Sequence, residues 1–376
     1  MATRLRRLAL PTLILLAAVL YYTRVRHEMI DFITWREAVV RALHAEPLYV
    51  MEDGHYQFKY FPAFALVMAP FGVLDRDRGK MLWFAIELGL MAALLRWSVR
   101  ALPGRRLSEQ MLVSLAFVLM AKFYFHEVML GQTNLLLGTL LVAALLAIQA
   151  NRPIVGGAFV GAAVFAKPYA LVLLPWLVVT RRWPAAAAAT GIVIAGLLLP
   201  ITVYGWIGNL DLLRGWLRTV NDSTPPLLLN NDNISIAAMW AKWLGPDGLA
   251  SGLAWLTVAG AALLVIAVLW RRRSVAKPEY LECALLMLLV PLVSPQGWDY
   301  VLLLATPAVV CLADRWRDFT PPWRVALGVA LAGMSLTVFD IMGRTLYGRF
   351  MALSLISVCA LALAAILVHT RWRGLA

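Results

Sequence analysis

Apolar blocks recur along the whole of this 376-residue chain, with short polar stretches between them. A bilayer core about 30 Å thick is crossed by a helix of about 20 apolar residues. Backbone in hydrocarbon must satisfy its own hydrogen bonds, so runs of this length read as helices. The expected fold is therefore an all-α polytopic membrane protein. The blocks cover approximately 8–22, 61–74, 81–97, 111–125, 135–148, a long broken stretch over 154–179, 185–204, 249–270, 280–293, 300–313, 325–339 and 351–368. That makes about 12 spans, with 10 to 13 compatible. No gap is wide enough for a separate soluble domain, so residues 1–376 read as one membrane-embedded unit with a first external loop at 27–60 and a second at 205–248.

Composition agrees: 62% of residues are hydrophobic and 15% charged, against about a quarter charged in soluble globular chains. Mean hydropathy is +0.76. The formal charge of +13 does not point to nucleic acid, because the arginines cluster beside apolar blocks, as in RLRR at the start and Arg271 to Arg273. That is the positive-inside pattern. Trp97, Trp183, Trp270, Trp316 and Trp372 lie near block ends, as interfacial anchors do. Cys283, Cys311 and Cys359 lack metal-ligand spacing and read as small buried hydrophobes. The N-terminus has the basic start of a signal peptide but YYTRVRH in place of a small-residue cleavage site, so residues 8–22 read as a retained span.

With both basic termini inside, the number of crossings is even, and Arg181, Arg182, Arg271 to Arg273, Arg315 and Arg317 fall on the inner side. Arg100, Arg105 and Arg106 fall outside if every block crosses, which points to a re-entrant early segment. No transporter-type internal repeat is evident.

Polar chemistry gathers at the external side. HEMIDFITWREAVVRAL sets Phe32, Trp35, Val39, Val40 and Leu43 at helical spacing, the mark of a helix lying on the membrane surface. Asp31 stands at its start, where a carboxylate either caps the helix or does chemistry. Lys59, before Pro62, either snorkels or binds an anion. His126, Glu127, Gln132 and Asn134 lie between two apolar blocks, where polar groups either bond helix to helix or line a site. Lys167 precedes a proline within a long apolar stretch, and an ammonium buried there requires an anion or a wet cavity. Ser294 and Asp299 sit at the external ends of two blocks, where capping is the ordinary role.

In this order the pieces resemble glycosyltransferase family 87, membrane enzymes of the GT-C fold that use polyprenyl-phosphate sugars. The resemblance rests on Asp31, Trp35, Ala38, Leu43, Pro47, Leu48 and Tyr49; on Phe58, Tyr60 and Pro62; on Gly131, Gln132 and Asn134; on Lys167 with Pro168; on Asn233 with Ser235; and on Ser294, Pro295 and Trp298. Where the family usually continues from the last element into histidine, this chain has Asp299 and Tyr300, so no role of those histidines carries over. It has Phe61 and Pro62 where two prolines are common.

The resemblance implies a GT-C-type helical bundle in the plasma (inner) membrane with its active site on the external face. There a sugar, mannose first, would pass with inversion from a polyprenyl-phosphate donor to a glycolipid or glycan acceptor among membrane lipids. Asp31 would be the base; Lys59, Lys167, Gln132 and Asn134 would hold the donor phosphate; and Tyr60, Asn233, Ser235, Trp298 and Asp299 would line the sugar and acceptor cleft. No cofactor, metal or nucleic-acid partner is implied. The alternatives are arabinofuranosyl transfer, a lipid or solute transporter, and a non-catalytic relative.

Overall fold

The computed structural model describes residues 2–50, 53 and 57–374. Regular structure among them is helical, apart from an isolated bridge between Asn233 and Trp298. The first half contains α1 (Ala2–Thr23), α2 (Ile30–Leu43), α3 (Pro62–Val67), α4 (Ala69–Val73), α5 (Arg76–Ala101), α6 (Glu109–Leu130), α7 (Asn134–Gln149), α8 (Pro153–Ala166) and α9 (Leu173–Val179). The second contains α10 (Trp183–Leu198), α11 (Ile201–Ser223), α12 (Ile236–Leu244), α13 (Gly248–Trp270), α14 (Glu279–Val293), α15 (Thr306–Asp314), α16 (Pro321–Ser335), α17 (Phe339–Ala352) and α18 (Leu355–Trp372). Side-chain caps start several of them: Asp75, Ser108, Ser235 and Asp247 accept from the backbone N–H groups of Arg78, Met111, Ala238 and Ala250.

Length and composition alone support fewer crossings than the 12 or so apolar blocks suggest. Among the described residues α5, α6, α13 with its extension to Ser274, and α18 are long and apolar enough to cross a membrane. Two bent pairs, α10 with α11 at 88° and α16 with α17 at 100°, raise that number from 4 to 6. The block at 61–74 becomes α3 and α4, of 6 and 5 residues, each started with the help of a proline. At 1.5 Å per residue each is under about 10 Å long, too short to cross. The stretch at 154–179 is broken at Lys167, because the residue before a proline is pushed to extended backbone: Lys167 has φ −156° and ψ 136°.

Contacts between distant arginines fix one end of the bundle. Arg106 and Arg315 join the loop after α5 to the end of α15, through the Arg106 N–H to Asp314 at 2.9 Å and Arg315 to the Pro103 carbonyl at 3.0 Å. Arg182 pairs with Glu279, Arg272 with Glu282, and Arg371 donates to the Pro278 carbonyl. Arg100, Arg105 and Arg106 thus lie at the same end as Arg182, Arg272, Arg315 and Arg371. The charge conflict in the sequence disappears because 61–74 does not cross. At the opposite end α11 is kinked near its start at Gly205, where φ is +68°, a backbone state that favours glycine.

Candidate active site

A cavity of about 480 Å³ opens at the end opposite the arginines. Asp31, Lys59, Tyr60, Gln132, Lys167 and Trp298 line it together, although they come from segments far apart in sequence. Trp216 of α11 forms part of the wall, stacked on Phe61 at 4.2 Å between ring centres, and its indole N–H donates to the Lys59 carbonyl at 3.1 Å.

Asp31 is placed by the start of α2. Met29 occupies the N-cap in the left-handed region, and no side chain makes a capping bond there, so the Asp31 carboxylate is not engaged as a cap. Its helix is tied to α6 by the Met29 N–H to the Met129 carbonyl at 2.7 Å and by the Trp35 indole to the Gly131 carbonyl at 3.2 Å. Burial pushes the Asp31 carboxyl above the usual carboxylate range, against the pull of Lys167, Gln132, His126 and Lys59.

Gly131 shows why α6 ends where it does. Its φ is +68°, and a Cβ there would lie 2.7 Å from the Phe32 Cβ, so only glycine lets α2 approach this closely. The turn delivers Gln132 into the cavity, where its carbonyl oxygen accepts from the Tyr60 hydroxyl at 2.9 Å. Tyr60 is itself stacked on Phe64 at 4.3 Å, and the Lys167 ammonium sits 5.1 Å from the centre of the Tyr60 ring. Lys59 donates to the Gln296 amide oxygen at 3.3 Å. Burial, with Lys167 nearby, lowers its ammonium to about 8 while Asp31 opposes the shift.

The other four residues singled out in the sequence stand in the structure behind the lining. Asn134 is buried and donates through its amide to Glu127 at 2.8 Å, at the start of α7, whose Leu135 N–H the same carboxylate accepts at 3.1 Å. Asn233 donates to the carbonyls of Leu227 at 3.2 Å and Pro295 at 3.0 Å, and its oxygen accepts from the Ser235 N–H at 3.0 Å. Ser235 caps α12. Backbone bonds from Ile234 to Gly297 at 2.7 Å and from Asp299 to Asp232 at 3.0 Å complete this join. The NIS and SPQGW elements are therefore one structural unit, bonded to each other. Asp299 is fully buried, its two oxygens 3.0 Å from His126 Nδ1 and 3.2 Å from Lys122 Nζ, ion-pair contacts that fall short of hydrogen-bond alignment.

His126, Asp232 and Gln296 also line the cavity. His126 carried a sequence signal, a polar residue between two apolar blocks, but no role there. Asp232 sits in an Asn- and Asp-rich run indistinguishable from a solvated loop. Burial raises its carboxyl above the usual range, with Asp299 adding to the effect.

Residues 58–295 match glycosyltransferase family 87. The chain belongs to that family. As a family 87 member it is a membrane glycosyltransferase, and its all-α bundle is the class expected from the sequence. Asp31, Trp298 and Asp299 lie outside the matched stretch. No curated protein matches the sequence. Among solved structures, ArnT from Cupriavidus metallidurans bound to undecaprenyl phosphate is similar with 13% identity and a TM-score of 0.43, covering 97% of this chain and 77% of that one. The apo form of ArnT from Cupriavidus metallidurans is similar with 13% identity and a TM-score of 0.39, covering 96% and 78%.

Proposed function

We propose that this family 87 member transfers a sugar, mannose first among the hexoses, from a polyprenyl monophosphate to a hydroxyl of a glycolipid or glycan. The observation that carries the reading is the sharing of one cavity by Asp31 and the two lysines Lys59 and Lys167. Asp31 takes the proton of the acceptor hydroxyl as its oxygen bonds to the anomeric carbon. The bond from that carbon to the phosphate oxygen breaks on the opposite side, which inverts the centre, and polyprenyl phosphate leaves with the electron pair. Charge grows on the leaving phosphate, where the Lys59 and Lys167 ammoniums and the Gln132 amide stabilise it. Tyr60 and Trp298 supply the flat surfaces a sugar ring packs on. Asn134, Asn233 and Ser235 serve this cleft by holding its walls.

The arginine-rich end is the inner side by the positive-inside rule. The cavity then faces outward from a plasma (inner) membrane, where a lipid-linked donor is presented at the boundary. The test is mass spectrometry of polyprenyl-phosphate sugars and envelope glycans from cells with and without the protein, complemented by wild type or by Asp31→Ala. Wild type restores the missing glycan and Asp31→Ala does not. Restoration by Asp31→Ala sinks the proposal.

A further inference from the structure

We propose that Asp299 is a positioning residue for His126, and that His126, held against that carboxylate, is a third cationic hydrogen-bond donor to the phosphate of the lipid-linked sugar. The inference rests on the donor class proposed above.

Asp299 is fully buried and His126 lines the cavity with its side chain 33% exposed. A carboxylate with no access to water persists only when paired. Here each oxygen has its own partner, Lys122 at 3.2 Å on one and the His126 Nδ1 at 3.0 Å on the other. Lys122 shares the burial of Asp299 with His126, so the carboxylate does not depend on His126 alone. Since Nδ1 faces Asp299, Nε2 is the ring nitrogen left for the cavity, and the edge-on contact with Tyr300, 5.0 Å between ring centres at 77°, keeps the ring from rotating. The charges among the lining side chains favour the same role. The lining carboxylates Asp31 and Asp232 equal the lining ammoniums Lys59 and Lys167 in number, so a phosphate diester anion entering the cavity adds one uncompensated negative charge. A protonated His126 cancels it, and its Nε2–H is the donor that Asp299 does not take.

The experiment uses the full-length protein in detergent, with a short-chain prenyl monophosphate as probe and the fluorescence of Trp216 and Trp298 as the binding signal. His126→Ala weakens binding at least tenfold, and added imidazole recovers most of that loss by refilling the vacated space. Asp299→Asn weakens binding several-fold, and His126→Ala with Asp299→Asn is no weaker than His126→Ala alone, as expected when one residue acts only through the other. If Asp299→Asn fails to fold because Lys122 is left unpaired, Asp299→Asn with Lys122→Met gives the same reading. In turnover, His126→Ala raises the donor KM and leaves the acceptor KM unchanged. Binding within twofold of wild type in His126→Ala, or multiplicative losses in the double variant, overturns the proposal. The probe reads binding without turnover. A wild type that binds the probe through His126 but transfers no sugar would refute the catalytic reading and leave this inference standing.

Discussion

The alkaline side of the activity profile tests the phosphate-binding role of Lys59 quantitatively. Its ammonium titrates at about 8 because it is buried and lies near Lys167. The sign is fixed by the chemistry: a cation that holds phosphate is present below that value and lost above it. For a titration near 8, about nine-tenths of Lys59 is charged one pH step below and about one-tenth one step above. The donor kcat/KM, which reports the free enzyme, should therefore fall roughly tenfold for each further pH step above that point. The limb in kcat should lie at higher pH, since a bound phosphate stabilises the ammonium. In Lys59→Arg the guanidinium stays charged throughout, so the limb should move up by about two pH steps or more even if the maximal rate drops. Lys242 also titrates at about 8 through burial, but it donates to the carbonyls of Asn231 at 2.9 Å and Asn233 at 2.8 Å outside the cavity lining. Lys242→Arg should leave the limb in place. The assay is transfer from labelled polyprenyl-phosphate sugar in proteoliposomes across pH 6 to about 10, with thermal unfolding followed in parallel. A limb that stays at the same pH in Lys59→Arg, or that moves in Lys242→Arg, refutes the assignment.

Gly131→Ala should lower stability by about 1–2 kcal/mol for the left-handed backbone alone, with a further cost from the close approach to Phe32, and should reduce transfer by displacing Gln132; calorimetry in detergent and the transfer assay check both. Asn233→Ala should cost about 1–3 kcal/mol, because it leaves the buried Leu227 carbonyl and the Ser235 N–H without a partner and removes the tie to the Pro295 carbonyl; activity should then fall in step with the unfolding temperature. Asp31→Asn should differ, losing about 10²- to 10⁴-fold in kcat with the unfolding temperature unchanged or raised, since a neutral amide is cheaper to bury than a carboxylate. An Asp31→Asn enzyme within tenfold of wild type would point to another base, Asp232 being the other carboxylate in the cavity lining.

Much of the site was legible because its chemistry violates the solvent around it. Lys167 stood out as a cation in a long apolar run, and the proline after it already implied the break that exposes it to the cavity. Asp31 stood out at the start of an amphipathic segment. What a one-dimensional reading lacks is partnership. Asn233 and Ser235 read as cleft-lining residues, yet their bonds go to Leu227, Pro295 and Ala238, partners no local pattern specifies. Asp299 likewise read as a sugar ligand and sits instead behind His126, a residue more than 170 positions earlier, against which only the folded chain places it.

Hydropathy by itself determined that this chain is an all-helical membrane bundle with its polar residues gathered at one face, because transfer from water to hydrocarbon is a sum over local residues. Tertiary structure decided which apolar blocks cross. An apolar run of about 14 residues is compatible with a crossing, a buried core helix or a re-entrant element. At 61–74 the choice fell on α3 and α4, packed against α2, because two short proline-started helices bury their aromatic residues there without reaching the far side. That choice puts Arg100, Arg105 and Arg106 at the same end as the other arginines and leaves the opposite end free for the cavity.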